Sequence, residues 1–198
     1  MFFRINFKID IMKNYQITSW VHHFLEDHVQ PGDFCIDATM GNGNDTALLS
    51  KLAGESGKVT AFDIQQMALD NTADRLKKEG CPDNCELVLA SHEEMGNYAE
   101  ESSVSCITFN LGYLPGGDHT KATKADSSIK AIETGLSLLK KKGLMTVCIY
   151  SGGDSGFEEK NAVLSYLKQL DAKKYLVIIS EYANRPNNPP IPVLIIKM

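Results

Sequence analysis

The sequence predicts an α/β fold: a Rossmann-like, doubly wound sheet of seven strands, mostly parallel, closed by a C-terminal antiparallel hairpin. Three observations predict it. Short apolar runs alternate with helix-length segments along five βα units, the pattern of right-handed crossovers between parallel strands. The last two runs are joined only by NRPNNPPI, too short for a crossover helix, so they pair antiparallel. Finally, 198 residues with 43% hydrophobic and 23% charged content fit one domain, 1–198, able to bury roughly 70% of its unfolded surface.

Residues 1–17 read as an N-terminal extension, with Met12 as a second candidate start. TSWVHHFLEDHVQPGD then carries apolar residues at Trp20, Val21, Phe24, Leu25 and Val29, a helical stripe ending before Pro31. FCIDAT (34–39) is the first strand and DTALLSKLA (45–53) its helix; KVTAFDI (58–64) precedes a polar-faced helix over 65–80. CELVLA (85–90) leads into HEEMGNYA, and SVSCITFNL (103–111) into a long loop. A helix near 123–141 feeds GLMTVCIY (143–150), and another near 156–170 feeds KKYLVIISEYA (173–183). PVLIIKM (192–198) is the final strand.

Several classes are excluded. No stretch reaches the roughly 20 apolar residues of a membrane span, so no membrane partner is expected. MFFRINFKIDIMKN mixes charges into its apolar residues and lacks a small-residue cleavage site, so it does not read as a signal peptide. Cys35, Cys106 and Cys148 sit inside apolar runs as reduced, buried thiols. Cys81 and Cys85 have no second pair to complete a zinc site. A reducing cytoplasm and no metal are therefore expected. His22 and His23 are helix neighbours that cannot share one face, and with His28 they read as solvated or interface residues.

The candidate site begins where the first strand ends, in Asp37-Ala38-Thr39-Met40-Gly41-Asn42-Gly43-Asn44-Asp45-Thr46. Two glycines let the backbone turn tightly against a ligand at a helix N-terminus. A dinucleotide fingerprint would need a third glycine where Thr46 stands, and Asp37 occupies what is usually apolar strand. An acid before a G-x-G turn suits a ligand carrying a cation better than a pyrophosphate. Asp63 closes the second strand, where an ionised carboxylate can accept both ribose hydroxyls. Ser91-His92 follow the third strand at the height of an adenine; the alternative for His92 is a helix start without a ligand. The fourth strand delivers Asn110-Leu111-Gly112-Tyr113-Leu114-Pro115-Gly116-Gly117-Asp118 to the carboxyl edge of the sheet, where α/β ligands bind.

At these residues the chain resembles class I S-adenosylmethionine-dependent methyltransferases, whose sheet carries the same terminal hairpin. More narrowly, DATMGNGNDT, FDIQ, SH, FNLGYLPGGD and the N-x-x-N-x-x-P tail resemble a small family known as rRNA methylases. Its assigned activity is N-methylation of 5-aminomethyl-2-thiouridine at the tRNA wobble position. The resemblance covers about residues 18–198. It implies S-adenosylmethionine as cofactor, tRNA as partner and a homodimer. It further implies that Asn42 and Asn44 hold the methionine moiety, Asp63 the ribose, and Ile64, Gln65, Ser91 and His92 the adenosine. The 110–118 loop would form the acceptor pocket. Two departures stand out: Ser151-Gly152-Gly153 lies where relatives often place histidines, and Arg185-Pro186 replaces a more polar pair.

The implied chemistry asks Asn110 to accept from an alkylamine, Tyr113 and Tyr150 to cover a uracil ring or bury as ordinary core aromatics, and Asp118 to be a proton acceptor or merely a turn carboxylate. Leu111 and Gly112 complete the acceptor wall. Alternatives are a methyltransferase for other RNA or a small amine, a non-catalytic nucleotide-binding module, and a nicotinamide dehydrogenase. The net charge of −5 argues against nucleic acid only as a total. Residues 26–101 hold five bases and 16 acids, whereas 102–198 hold 12 bases and eight acids. The basic half is the acceptor half, and Lys121 and Lys124 would make a rim for a tRNA anticodon.

Overall fold

Alternation along each apolar run decides where the layers form, because successive strand residues face opposite sides. In the computed structural model, which describes residues 15–114, 116, 123–151 and 156–198, the runs become seven strands. They are β1 (Phe34–Asp37), β2 (Lys58–Asp63), β3 (Cys85–Leu89), β4 (Val104–Leu111), β5 (Leu139–Ile149), β6 (Tyr175–Ile179) and β7 (Ile191–Lys197). The helices are α1 (Ile17–His28), α2 (Asn44–Ala53), α3 (Gln66–Lys78), α4 (Ala125–Leu138) and α5 (Gly156–Leu167), with a 3₁₀ turn at His92–Asn97. The sheet order is β3-β2-β1-β4-β5-β7-β6. β1 to β5 are parallel, while β7 runs antiparallel between β5 and β6. The expected hairpin is present, with its second strand inserted inside the sheet.

Both faces are covered, as a parallel sheet requires. Ile36, Phe62, Ile107, Phe109, Met145 and Ile149 pack with Met95 of the 3₁₀ turn and with Ile132 and Val163 of α4 and α5. Cys35, Val59, Cys106, Leu144 and Cys148 pack on the other face with Val21 and Leu25 of α1 and Leu49 of α2. All five cysteines are free. Burial pushes the Cys35 thiol up to about 12, so it packs as a small apolar group.

Three boundaries differ from the sequence reading. HEEMGNYA forms only the 3₁₀ turn. β6 ends at Ile179, well short of the apolar run's end at Ala183. The helix expected to reach residue 141 stops at Leu138. Leu139, fully buried, already pairs with Val104, and the register shifts before Leu144 pairs with Cys106. The intervening lysines occupy this irregularity: Lys142 has φ +66°, and Lys140 Nζ reaches Asp33 Oδ1 at 2.8 Å. Polar residues therefore hid the first part of a core strand.

Lys197 closes the C-terminal end of α4. Its ammonium donates to the carbonyl oxygens of Leu136, Ser137 and Leu139 at 3.0, 3.2 and 2.6 Å. These are the carbonyls a helix end leaves without partners. Lys197→Met keeps the apolar stem and removes the donor, so unfolding free energy should fall by about 1–2 kcal/mol. A urea midpoint equal to that of the parent would refute this.

Candidate active site

In this sheet order β1 is flanked by β2 and β4, so the chain crosses to opposite sides after it, and loops diverge there. Two bonds stitch the strand ends beyond the ladder: Ala38 N–H donates to Thr108 O at 2.9 Å and Asn110 N–H to Thr39 Oγ1 at 2.7 Å. Between the diverging loops lies a cleft of about 640 Å³, the size of small-molecule sites.

The loop after β1 forms its floor. Gly41 and Gly43 have φ of +51° and +75°, the left-handed region that favours glycine. A Cβ at Gly43 would also stand 2.9 Å from Thr72 Cα on α3. This turn aims the N-terminus of α2 at the cleft, where Thr39, Gly41, Asn42, Asn44 and Asp45 form part of the wall. Asn42 Oδ1 is held by Asn71 Nδ2 at 2.9 Å. Asp37, Gly43 and Thr46 stand behind that wall. The fully buried Asp37 carboxylate accepts from Thr46 Oγ1 at 2.6 Å and Thr39 N–H at 3.2 Å, tying strand end to helix start. Burial and the nearby Asp45 charge push its carboxyl above the usual carboxylate range.

The loops after β2 and β3 line the far end with Asp63, Ile64, Gln65, Ser91 and His92. Asp63 accepts one backbone N–H on each oxygen, from Gly41 at 3.1 Å and Gln65 at 3.0 Å, which leaves lone pairs for further donors. Ser91 Oγ accepts from Glu93 N–H and starts the 3₁₀ turn. His92 Nε2 is buried without a hydrogen-bond partner, and burial lowers the imidazole below its ordinary value of 6.5. An orphaned imidazole nitrogen beside a half-buried carboxylate with spare lone pairs fits a nucleoside, whose base and diol would satisfy both.

The remaining side comes from β4. Asn110 shares the sheet face of Cys106, towards α2, and its Nδ2 donates to Asp45 Oδ2 at 2.8 Å. A carboxylate only accepts, so this contact commits the NH₂ end of the amide and turns the carbonyl oxygen away from Asp45. Gly112, Tyr113, Lys124 and Tyr150 also line the cleft, and Tyr113 is half exposed. Burial pushes the Tyr150 hydroxyl above its usual range. Leu111 is not on the wall. Strand alternation sends it to the opposite face, fully buried in the core. Asp118 and Lys121 lie outside the described residues, as do Met12, Pro115, Gly117, Gly152 and Gly153.

Other parts of the wall come from distant segments: the N-x-x-N-x-x-P tail, which the resemblance marks, and the start of α1, which no motif marks. Thr18 of α1 and Asn187, Asn188 and Pro190 between β6 and β7 all line the cleft. Asn187 and Asn188 take φ of +66° and +46°, which asparagine tolerates better than most residues. His22 is not simply solvated: half-buried, its Nε2 lies 2.7 Å from Asp45 Oδ1. Among the described residues no group of three or more metal-ligating side chains occurs, and no helix is long and apolar enough to cross a membrane.

Residues 59–196 match the sequence profile of the family described as Putative rRNA methylase. The chain belongs to this family of class I S-adenosylmethionine-dependent methyltransferases. A family protein from Clostridium thermocellum, described in the same words, is 43% identical, with 92% of this chain and 98% of that one covered and a TM-score of 0.89. A protein from Streptococcus mutans, described as a methyltransferase and solved in complex with SAH, is 36% identical. There the match covers 91% of this chain and 97% of that one, with a TM-score of 0.83. The chloroplastic tRNA (mnm(5)s(2)U34)-methyltransferase of Arabidopsis thaliana is 34% identical over 184 residues, 87% of this chain. The chain spans 66% of that relative's length, just under two thirds.

For this methylase, the glycine turn is the most exacting backbone feature of the site. Gly43→Ala should cost about 1–3 kcal/mol in stability, because it adds a left-handed strain and a steric clash at once. Scanning calorimetry checks this; an unchanged melting temperature would refute it.

Proposed function

We propose that this protein transfers a methyl group from S-adenosylmethionine to the primary amine of 5-aminomethyl-2-thiouridine at the tRNA wobble position. The observation that carries the reading is Asn110: it ends β4 at the cleft with its amide held by Asp45 and its carbonyl oxygen turned from the carboxylate. The name of the Arabidopsis relative supports the choice of tRNA.

S-adenosylmethionine is the cofactor, and when bound it supplies an electrophilic methyl group on a sulfonium. Asp63 and His92 would hold its ribose and base, and the turn around Gly41 to Asn44 its amino-acid end. What remains for the protein is placement and proton control, and a near-attack arrangement supplies several kcal/mol. An alkylamine has a solution pKa of about 10 and arrives as ammonium. The Asn110 carbonyl accepts one amine N–H and so orients the nitrogen lone pair. The walls around Tyr150 reduce hydration and favour the neutral form. Exposed Lys124 at the rim meets phosphate, and the half-exposed Tyr113 gives a base a surface to stack on. We include a homodimer in this reading, which light scattering checks.

The deciding experiment incubates purified protein, S-adenosylmethionine and tRNA bearing 5-aminomethyl-2-thiouridine, followed by mass spectrometry of the nucleosides. The expected product is 14 mass units heavier, roughly one CH₂ by simple replacement of H by CH₃; unmodified nucleoside would sink the substrate assignment. Turnover should climb about tenfold per pH unit below the amine pKa, since only the free base attacks. Asn110→Ala should lower kcat by about 100-fold while cofactor affinity by calorimetry stays within about threefold.

A further inference from the structure

One ion pair beside the cleft has no part in binding cofactor or RNA in that reading. His22 Nε2 lies 2.7 Å from one oxygen of Asp45, whose other oxygen takes the Asn110 amide at 2.8 Å. The three groups come from α1, the first turn of α2 and the end of β4. Each link is directional. The terminal torsion of an asparagine is broad and close to two-fold, so an unanchored amide offers its NH₂ as readily as its carbonyl. An amine meeting the NH₂ end faces a donor and loses its guide. Asp45 removes that ambiguity, and His22 in turn fixes Asp45.

The setting suits such a role. The side chains of His22 and Asp45 are 24% and 11% exposed, so their contact is only partly screened by water. Thr18, one turn before His22 on the same face of α1, lines the cleft itself. The charged groups acting on His22 are Asp45 from α2, Asp37 from β1 and Glu26 on its own helix. Burial opposes its protonation, but the Asp45 hydrogen bond and these charges outweigh burial and raise the imidazole above 6.5. His23, on the adjacent position, is well exposed and, among the described residues, meets Glu26. Neither His22 nor Asp45 lies within residues 59–196, the stretch that the family profile matches.

We propose that His22 is a positioning residue for methyl transfer: through Asp45 it locks the Asn110 amide with its carbonyl toward the acceptor, making α1 part of the catalytic apparatus. This rests on the Asn110 reading above. It is tested first without substrate, on the full chain, through the side-chain amide signals of Asn110 in NMR, assigned by their loss in Asn110→Ala. His22→Ala should collapse the separation of the two Nδ2 protons and speed their exchange by about tenfold or more, whereas His23→Ala should leave both unchanged. In the nucleoside assay His22→Ala should lower kcat by about 10- to 50-fold with KM and cofactor affinity within about threefold. In the Asn110→Ala background the same change should cost less than about twofold, because its route of action is gone.

His22→Gln returns an amide donor, should keep about a third of the rate, and carries the test if His22→Ala does not fold. Unchanged Asn110 signals in His22→Ala, or an equal loss in both backgrounds, overturns the proposal. If the amide signals change as expected but the parent protein leaves the tRNA untouched, the positioning role stands and the substrate reading falls.

Discussion

The site depends on the register between β1 and β4. Asp37 pairs with Thr108, and the next residues are held by Ala38 N–H on Thr108 O and Asn110 N–H on Thr39 Oγ1. That register brings two loops that are 70 residues apart in sequence within one hydrogen bond of each other, with a separation of 71 between Thr39 and Asn110. A slip of one residue would turn Asn110 to the opposite face and bring Leu111 to the cleft. The alternation of core residues on both sides of the sheet resists such a slip, so the chemistry at the edge inherits its precision from packing deeper in the strands. Cys106 and Thr108 precede Asn110 on one face, and Ile107 and Phe109 precede Leu111 on the other.

The same edge concentrates acids at a thermodynamic cost. Asp37 is fully buried and Asp45 nearly so, and burial together with the Asp45 charge disfavours ionisation of Asp37. Burying a charge is tolerable only when hydrogen bonds replace water. Here they do: Thr46 and Thr39 serve Asp37, and His22 and Asn110 serve Asp45. A cation entering this cleft would complete the compensation, in keeping with the sequence-level observation that an acid ahead of a G-x-G turn suits a positively charged ligand. The acidic stretch of 26–101 is thus not a solvated surface alone; part of it is folded inward.

Much of this was legible in the sequence, because it is local. Period-two runs, helix-length gaps and one short final connection determine the layers and the hairpin. Gly41, Gly43, Asp63 and Asn110 announce themselves because turn geometry and strand ends restrict residue type. The hidden parts are those where a residue's neighbours are remote or its chemistry is disguised. Lys140 and Lys142 concealed the start of β5, since a bulged edge accommodates charge that a regular core strand would not. The His22–Asp45 contact spans 23 residues between two helices, and no spacing rule joins them. The buried stripe of Val21 and Leu25 does place His22 at the margin of the packed face, which was the one available hint.

The base of the loop after β4 has a consequence for how the mouth of the cleft can change. Thr123 N–H donates to Gly112 O at 3.0 Å, and Thr123 Oγ1 and Ser128 Oγ donate to the buried Glu159 of α5 at 2.9 and 2.6 Å. Both ends of the segment between Gly112 and Thr123 are thus held together, and Leu114 within it packs with Met40, Ala61 and Ala68. Doubling the length of a loop so closed costs only about 0.6 kcal/mol. An insertion beyond Leu114 would therefore alter the mouth of the cleft at little expense to the sheet beneath it.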